Sequence, residues 1–176
     1  MELRTIGVGD GPLLKDVTLR SVEDAPYAFG GAATLDDERR RPDAQWDDLA
    51  AECGGAVDAW RGRCVGYFIT EGDAVCAKAL AFLSAKVPAL AHMSGVWVDP
   101  RYRRRGLGRG LVAGACQWAA SKGAQRLQLW VDDTNPAGVA FYLSLGFRPS
   151  GDRRPATPAA PNGESAYLLP LPPRYD

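Results

Sequence analysis

The chain has 176 residues, of which 46% are hydrophobic and 24% are charged, and its 21 acidic side chains balance its 21 basic ones. This length and composition predict one globular domain over residues 1–176 with a sizeable core. A net charge of zero creates no overall field that would attract nucleic acid or an anionic membrane, so we expect neither as a partner.

The start of the chain and its cysteines indicate the compartment. Residues 1–10 carry Glu2, Arg4 and Asp10 instead of the apolar run of a signal peptide, and no stretch has the length of a transmembrane helix. The cysteines lie far apart without a C-x-x-C pair, and the chain has one histidine, His92. We therefore expect a cytoplasmic protein without a metal site and with reduced, structural thiols at Cys53, Cys64, Cys76 and Cys116.

The first third of the chain is predicted to be mainly helical. A short strand at Leu3–Ile6 precedes a helix at Leu13–Val22, which carries apolar residues at helical spacing. A second helical stretch, Leu35–Cys53, has an apolar stripe that includes Trp46. Pro42 is expected to interrupt this stretch, because proline removes a helical hydrogen bond.

The middle of the chain is predicted to form an antiparallel sheet. Ala56–Trp60 and Cys64–Thr70 have the pattern of two strands joined by a tight turn at Arg61-Gly62. Residues Asp73–Val87 suit a buried strand or a short helix almost equally, and the neighbouring strands favour a strand. Leu90–Val98 is predicted to be a strand, which a following proline ends.

The turn after that strand has the features of an anion site. Gly106, Gly108 and Gly110 leave little side-chain bulk at the start of a helix predicted over Gly108–Lys122. The first N–H groups of a helix lack partners, and its dipole favours negative charge there. The same turn carries four arginines, which are Arg103, Arg104, Arg105 and Arg109. Since each charge-assisted bond to phosphate contributes on the order of 1.5–3 kcal/mol, we predict a site for a phosphorylated cofactor.

The rest of the chain completes the sheet. Arg126–Val131 alternates as a strand, so that strand, glycine turn, helix and strand form a right-handed βαβ unit with two parallel strands. Asn135 and the proline after it predict the start of a short helix, Ala137–Leu145, which a glycine closes. Phe147–Arg153 and Ser165–Leu171 are predicted to be a final pair of strands.

Two of these segments resemble the signature motifs of the GCN5-related N-acetyltransferases, the GNAT superfamily. Arg103–Gly108 matches its R/Q-x-x-G-x-G/A motif, and Asn135–Phe147 resembles its N-x-x-A-x-x-x-Y-x-x-x-G-F block. The resemblance covers Met93–Gly151. It implies an α+β (α/β) fold with a GNAT-like mixed, mostly antiparallel sheet, a central parallel βαβ pair splayed around the cofactor, and helices on both faces.

The resemblance also implies acetyl-CoA as co-substrate and no metal. The pyrophosphate would lie on the arginine-rich turn, and the strand before it would carry a bulge and pair with the pantetheine arm. An N–H near Val96 or Trp97 would polarise the thioester carbonyl, and Gly138 would leave room for the cofactor. The cofactor-binding residues implied in this way are Val96, Trp97, Val98, Arg103, Arg104, Arg105, Gly106, Leu107, Gly108, Arg109, Asn135, Gly138 and Tyr142.

The implied reaction is direct attack of a neutral amine on the thioester, so the amine must lose a proton and the thiolate must gain one. Tyr142 matches the tyrosine that supplies this proton in many members and is the predicted catalytic residue, with a packed core aromatic as the alternative. No glutamate occurs in His92–Val98, where many relatives carry their base. The candidates for the base left open are His92, Asp99, Asp132, Glu71 and ordered water.

The acceptor is expected to be a small-molecule or peptide amine, because no charge pattern in Asp24–Cys53 selects between them. Trp46, Trp60 and Phe29 are candidates for its pocket, although aromatic residues there more often pack in the core. A homodimer is left open. The alternative function is a non-catalytic acyl-CoA-binding protein of the same fold, and a nucleotide-binding module is disfavoured because the P-loop motif is absent.

Overall fold

The computed structural model describes residues 1–26, 34–55, 63–157 and 162–172. Its strands are β1 Glu2–Thr5, β2 Cys64–Glu71, β3 Ala74–Leu83, β4 Leu90–Val98, β5 Arg126–Asp132, β6 Arg148–Arg154 and β7 Glu164–Pro170. Its helices are α1 Gly11–Asp24, α2 Leu35–Arg40, α3 Asp43–Cys53, α4 Leu107–Ser121 and α5 Pro136–Ser144.

The strands form one sheet in the order β1-β2-β3-β4-β5-β7-β6. β4 and β5 pair in parallel, and every other neighbouring pair in this order is antiparallel. α4 connects the two parallel strands and so forms the predicted βαβ unit. The expectation of a mixed, mostly antiparallel sheet is confirmed.

Helices cover both faces of the sheet. On one face α4 packs against the strands through Leu111, Ala115 and Ala119, which recur every four residues and are fully buried. On the other face α1 and α3 pack against β2, where Trp46 and Phe68 belong to one buried cluster. The two apolar clusters lie on opposite faces because successive side chains of a strand point to opposite sides.

A β-bulge in β4 changes which of its side chains face α4. The register of β4 against β3 shifts between Ser94 and Trp97, and Gly95 adopts a positive φ of 60° there. Met93, before the bulge, and Val96, after it, both pack on the side of the sheet that α4 covers, although they are three residues apart. Trp97 packs on the opposite side, with α1 and α3. The bulge therefore inverts the alternation of the strand.

β4 and β5 separate soon after they pair. Leu90–His92 is in register with Arg126–Gln128, and beyond these residues β4 continues to Val98 and β5 to Asp132 without pairing with each other. The separated ends leave main-chain groups facing a gap that no strand fills. The splayed parallel pair is therefore present as expected.

Most predicted elements are confirmed within a few residues. The segment 73–87, which suited a strand or a helix, contains strand β3. Pro42 separates α2 from α3 and is the N-cap residue of α3. α1 starts earlier than predicted because Pro12 occupies its first turn, where a missing N–H costs nothing. Of the predicted hairpin, Cys64–Thr70 lies in β2, which pairs with β1 and β3, and Ala56–Trp60 lies outside the described residues.

Candidate active site

A groove of about 620 Å³ occupies the gap between β4 and β5, on the face covered by α4 and α5. Its volume is in the range of small-ligand sites. The predicted cofactor-binding residues that line it are Val96, Val98, Arg103, Arg104, Gly106, Leu107, Gly108, Arg109, Asn135, Gly138 and Tyr142. The fold thus brings both sequence motifs to one cavity.

The first turn of α4 presents N–H groups at this groove. Gly106 is the N-cap, with a φ of 82° that favours glycine. The N–H of Gly110 donates to the carbonyl oxygen of Gly106 at 3.1 Å, so the N–H groups of Leu107, Gly108 and Arg109 have no acceptor within the helix. Together with the helix dipole, these N–H groups give the end of the groove the features that favour an anion.

Arg104 and Arg109 are the cations that remain available beside these N–H groups. Both side chains line the groove, both are exposed, and neither forms an ion pair with another described residue. Arg104 also adopts a positive φ of 64°, which is uncommon for a residue with a side chain. The two guanidinium groups can therefore meet a phosphorylated ligand without first breaking an internal ion pair.

Arg103 and Arg105 have internal partners. The Nε of Arg103 donates to the carbonyl oxygen of Val98 at 3.0 Å, and its terminal nitrogen pairs with the carboxylate of Asp24 at the end of α1. Arg105 lies over the ring of Tyr102 at 5.3 Å and is not among the residues that line the groove. Arg103 therefore fastens the turn to β4 and α1.

Two glycines of the motifs allow close contacts inside the protein. A Cβ at Gly108 would lie 2.9 Å from Cζ of Phe141, so the missing side chain lets α4 and α5 approach. A Cβ at Gly138 would lie 2.6 Å from the amide nitrogen of Asn135, whose Oδ1 accepts a hydrogen bond from the Gly138 N–H at 2.9 Å. Gly138 therefore makes room for the cap of α5. It also lines the groove, and its role in leaving room for the cofactor stays a prediction.

Tyr142 lines the groove from α5. Its ring is half-buried, with ring centroids 5.0 Å from Phe141 and 5.6 Å from Phe147. Its hydroxyl makes no hydrogen bond to another described residue. Burial raises the pKa of Tyr142 well above its ordinary value, so the phenol holds its proton at neutral pH.

Trp97 does not present its side chain to the groove. Its ring is buried on the face of α1 and α3, its Nε1 donates to Asp24 at 2.9 Å, and the guanidinium of Arg20 lies 5.3 Å from the ring centre. The bulge at Gly95 is the cause, because it turns the Trp97 side chain to the opposite face. The predicted role of Trp97 in cofactor binding therefore rests on its backbone.

A second cavity of about 340 Å³ lies on the opposite face of the sheet, below α1, α2 and α3. Four residues line both cavities, namely Met93, Ser94, Gly95 and Trp130, so the two cavities meet at the bulge. The other residues lining the second cavity are Leu14, Thr18, Val22, Glu38, Arg41, Trp46, Leu49, Lys78, Leu80, Phe82, His92, Arg154 and Glu164. Trp46 is thus at a cavity as expected, while Phe29 and Trp60 lie outside the described residues.

Two of the base candidates lie away from both cavities. Asp99 accepts hydrogen bonds from Arg101, which hold the pKa of its carboxyl at about 2, and Arg20 lies 3.1 Å from it. Glu71 is exposed at the end of β2. Neither side chain lines the groove or the second cavity, and Asp99 would also bind protons too weakly for a base.

The other two candidates lie on the face of the second cavity. His92 lines that cavity and stacks on Phe82 with ring centroids 5.2 Å apart. Burial, with Arg154 as a second cause, lowers the pKa of His92, so its ring is neutral. Asp132 is buried, and its Oδ1 accepts hydrogen bonds from the N–H and the hydroxyl of Thr134 at 2.8 and 2.6 Å.

The sequence analysis missed several residues of the second cavity. Glu164 is 4% exposed and is the register partner of Asp132, while the guanidinium of Arg154 lies 3.9 Å from the ring centre of Trp130. Lys78 is buried in β3, and burial lowers its pKa to about 8. The one available signal was Lys78 within the apolar pattern of β3, and only the register of the sheet shows that Glu164 meets Asp132 and Arg154.

The cysteines are free thiols in the described structure. The sulfur atoms of Cys53 and Cys64 lie 3.6 Å apart, farther than the roughly 2.05 Å of a disulfide. Within the described ranges, no His, Cys, Asp or Glu side chains form a group of three or more that could hold a metal ion. None of the helices in the same ranges has both the length and the apolar character needed to cross a membrane.

Two curated relatives are similar to this chain in sequence. "[Ribosomal protein bS18]-alanine N-acetyltransferase" of Salmonella typhimurium is 38% identical over 82 residues, which are 47% of this chain and 55% of that protein. Mycothiol acetyltransferase of Thermobispora bispora is 33% identical over 148 residues, covering 84% of this chain and 46% of that protein. The chain thus spans about half the length of these relatives.

The fold has a counterpart among solved structures, and a family model matches most of the chain. PaiA N-acetyltransferase from Thermoplasma acidophilum, solved in complex with coenzyme A, has a TM-score of 0.69 at 15% identity, covering 96% of this chain and 98% of that one. The model of the acetyltransferase (GNAT) family matches residues 22–147, which include the splayed strands, the arginine-rich turn and Tyr142. With this match and the splayed βαβ unit, the chain belongs to the acetyltransferase (GNAT) family.

Proposed function

We propose that this protein transfers the acetyl group of acetyl-CoA directly to an amine. The observation that carries the proposal is the meeting of two cavities at the bulge of β4, one of which ends at unpaired N–H groups beside Arg104 and Arg109. Membership of the family and the acetyltransferase names of both curated relatives support it.

The groove fits the chemistry of coenzyme A. The N–H groups of Leu107, Gly108 and Arg109 would hold the pyrophosphate, with Arg104 adding positive charge. The separated end of β4 would pair with the amide groups of the pantetheine arm as an additional strand. Acetyl-CoA supplies the activated acetyl group, and the protein's own groups position it and handle protons.

Tyr142 is proposed to protonate the departing sulfur. Its half-buried phenol holds its proton at neutral pH and has no hydrogen-bond partner among the described residues, so the hydroxyl is free for a ligand. It lines the groove on α5, a helix whose start is fixed by the cap of Asn135. Asn135 would thus serve as helix cap and, through its remaining amide atoms, as a contact for the cofactor arm.

Direct transfer, without an acetylated enzyme, is supported by the lining of the cavities. Neither cavity has a cysteine among the described residues that line it, so no thiol is placed to receive the acetyl group. An amine in the second cavity and a thioester in the groove would meet where Ser94 and Gly95 line both spaces. Bringing the two reactants together in this way lowers the entropic part of the barrier.

The test is thiol release from acetyl-CoA with a panel of amines, accompanied by calorimetry of coenzyme A binding. The panel contains an arylalkylamine, a polyamine, free amino acids and a peptide that begins with alanine. We expect coenzyme A to bind, at least one amine to be acetylated, and intact mass to show no acetylated protein after incubation with acetyl-CoA alone. Tight coenzyme A binding without turnover on a broad panel would favour the non-catalytic acyl-CoA-binding alternative.

A further inference from the structure

Strands β5 and β7 place two buried carboxyl groups side by side. Asp132 and Glu164 are register partners and are 1% and 4% exposed, and directly opposite residues of an antiparallel pair have Cβ atoms about 4.5–5.5 Å apart. Arg154 of β6 is the register partner of Glu164, but its Nη1 lies 3.7 Å from Oε2 of Glu164, beyond hydrogen-bond distance. The nearby carboxylate of Asp133 is paired with Arg153. The cluster of Asp132, Glu164 and Arg154 therefore carries one more carboxylate than cation.

One oxygen of this cluster lacks a partner. Oδ2 of Asp132 is buried and accepts no hydrogen bond from the described residues, whereas Oδ1 is engaged by Thr134. A buried carboxylate oxygen without a hydrogen-bond partner carries a desolvation cost, which a cation beside it offsets. The cluster can therefore accommodate a positive group in addition to Arg154.

Glu164 is the carboxylate of this cluster that reaches the second cavity, which Arg154 also lines. It lines that cavity together with Trp130, which also lines the cofactor groove. Trp130 is two residues before Asp132 on β5, so its side chain and those of the two carboxyl residues lie on the same face. A molecule that extends from the second cavity towards the groove therefore passes Trp130 with Glu164 beside it.

We propose that Glu164 binds the ammonium group of the acceptor and takes its proton, and that the acceptor is a small primary amine with an apolar, aromatic-sized body. This inference rests on the proposed acetyl transfer. It assigns the base that the sequence analysis left open to a residue that was not among the candidates.

The chemistry balances with the groups in place. The ammonium gives one proton to Glu164, and the freed lone pair attacks the thioester carbonyl, so that a C–N bond forms and the C–S bond breaks. Tyr142 gives its proton to the sulfur, and the second proton of the nitrogen returns through solvent to the Tyr142 oxygen. Glu164 releases its proton to solvent, and no oxidant or reductant is required.

Charge favours Glu164 over His92 as the group that meets an ammonium, and burial brings the proton affinities of the two side chains closer together. Burial raises the pKa of the Glu164 carboxyl, with Asp132 adding to the effect and Arg154 opposing it, whereas burial lowers the pKa of His92. A carboxylate also attracts the ammonium before the proton moves, which a neutral imidazole does not. The charged or titratable groups that face Glu164 are Arg154 on β6, Asp132 and Asp133 at the end of β5, and Glu38, Arg41, Lys78 and His92 around the cavity.

The walls of the second cavity select the body of the acceptor. Glu38 and Arg41 form an ion pair with each other at 2.9 Å, and much of the remaining wall consists of aromatic and aliphatic side chains such as Trp46, Leu49 and Phe82. A cavity of about 340 Å³ is at the small end of ligand sites. An apolar body of aromatic size would gain the most from this lining, because it removes apolar surface from water.

The experiment compares wild type with Glu164→Gln, Glu164→Asp and His92→Gln, using 2-phenylethylamine, spermidine and glutamate as acceptors. Glu2→Gln, on the exposed edge strand β1, is the matched control. Steady-state kinetics are measured across pH, and calorimetry measures 2-phenylethylamine binding without acetyl-CoA and coenzyme A binding without amine. The aspartate variant keeps the charge in case the glutamine variant does not fold.

We expect 2-phenylethylamine to have the highest kcat/KM and Glu164→Gln to lower it by about 100-fold or more. The same variant should weaken amine binding and remove the acidic limb of the pH profile, while coenzyme A binding and the control stay unchanged. The proposal would be overturned if Glu164→Gln left amine binding and kinetics unchanged, or if His92→Gln instead removed the acidic limb of the pH profile. A preference for spermidine or glutamate over 2-phenylethylamine would also overturn it. If wild type acetylates no amine, the proposed function fails. The calorimetric comparison of amine binding by wild type and Glu164→Gln still tests whether Glu164 forms the amine subsite.

Discussion

A Cβ atom at Gly108 would lie 2.9 Å from Cζ of Phe141, so the two helices that border the cofactor groove are in contact at this glycine. Gly108→Ala should therefore displace Phe141, at a cost of about 1–3 kcal/mol that the better helix propensity of alanine partly offsets. We expect weaker coenzyme A binding by calorimetry and a lower melting temperature. Gly110→Ala is the control, because its Cβ would lie 3.7 Å from Ile69, an ordinary contact. Equal effects of the two substitutions would contradict this account.

The arginines of the turn should separate into ligand-binding and turn-fastening residues. Arg104→Ala and Arg109→Ala should each weaken coenzyme A binding by roughly 10-fold, the loss of one charge-assisted bond, without changing the melting temperature. The loss should shrink at high salt. Arg103→Ala should instead lower the melting temperature, because Arg103 joins the turn to Val98 and Asp24.

Phosphate-free acetyl-pantetheine provides the control for these arginines. Its turnover should be the same in wild type and in Arg104→Ala and Arg109→Ala, since it has no pyrophosphate for them to bind. A similar loss with acetyl-pantetheine and acetyl-CoA would show that the two arginines act on the fold rather than on the phosphates.

Tyr142→Phe should lower kcat by about 10²–10⁴-fold while leaving coenzyme A binding unchanged, because it removes a proton donor and keeps the ring that packs on Phe147. The defect should be much smaller with an activated aryl thioester, whose thiol leaves without protonation. Equal defects with both donors would show that Tyr142 positions the substrate instead of protonating the sulfur.

Asp99 should make the stability of the turn before α4 depend on pH. Its bonds to Arg101 hold its pKa at about 2 in the folded state, below the ordinary value of 3.8, so the stabilisation is complete above the unfolded value and is lost as pH falls through about 2. Asp99→Asn keeps an oxygen for the Arg101 N–H but removes the charge. We expect a lower melting temperature at pH 7, by less than the full shift would give because solvent screens Arg101, and a clearly smaller difference from wild type at pH 2.5, where part of the stabilisation is lost. A difference at pH 2.5 as large as that at pH 7 would contradict the assignment.

Much of the fold could be predicted from local patterns in the sequence. Asn135 and the proline after it mark the start of α5, and the arginine-rich turn marks the start of α4, because caps and helix termini use short-range hydrogen bonds. The separation of α2 and α3 at Pro42 follows from the missing N–H of proline. The two motifs were thus assigned to their helices before any tertiary contact was known.

The face to which each strand residue points depended on a feature that no local pattern reveals. Strict alternation cannot locate the bulge at Gly95, and the bulge decides that Val96 faces the groove while Trp97 packs against α1. In the same way, the arginine run predicted an anion site, but Asp24, far away in the chain, removes Arg103 from the set of free cations.

The amino-acid sequence by itself determined the arginine-rich turn before α4, the capped α5 with Tyr142 and the parallel pair of strands, since each depends on residues that are close in the chain. The tertiary structure decided that the groove meets a second cavity, that Arg103 fastens the turn, and that Glu164 lies opposite Asp132. These relationships depend on sheet register and on the bulge in β4. Both arise from side chains that pack together although they are distant in the chain.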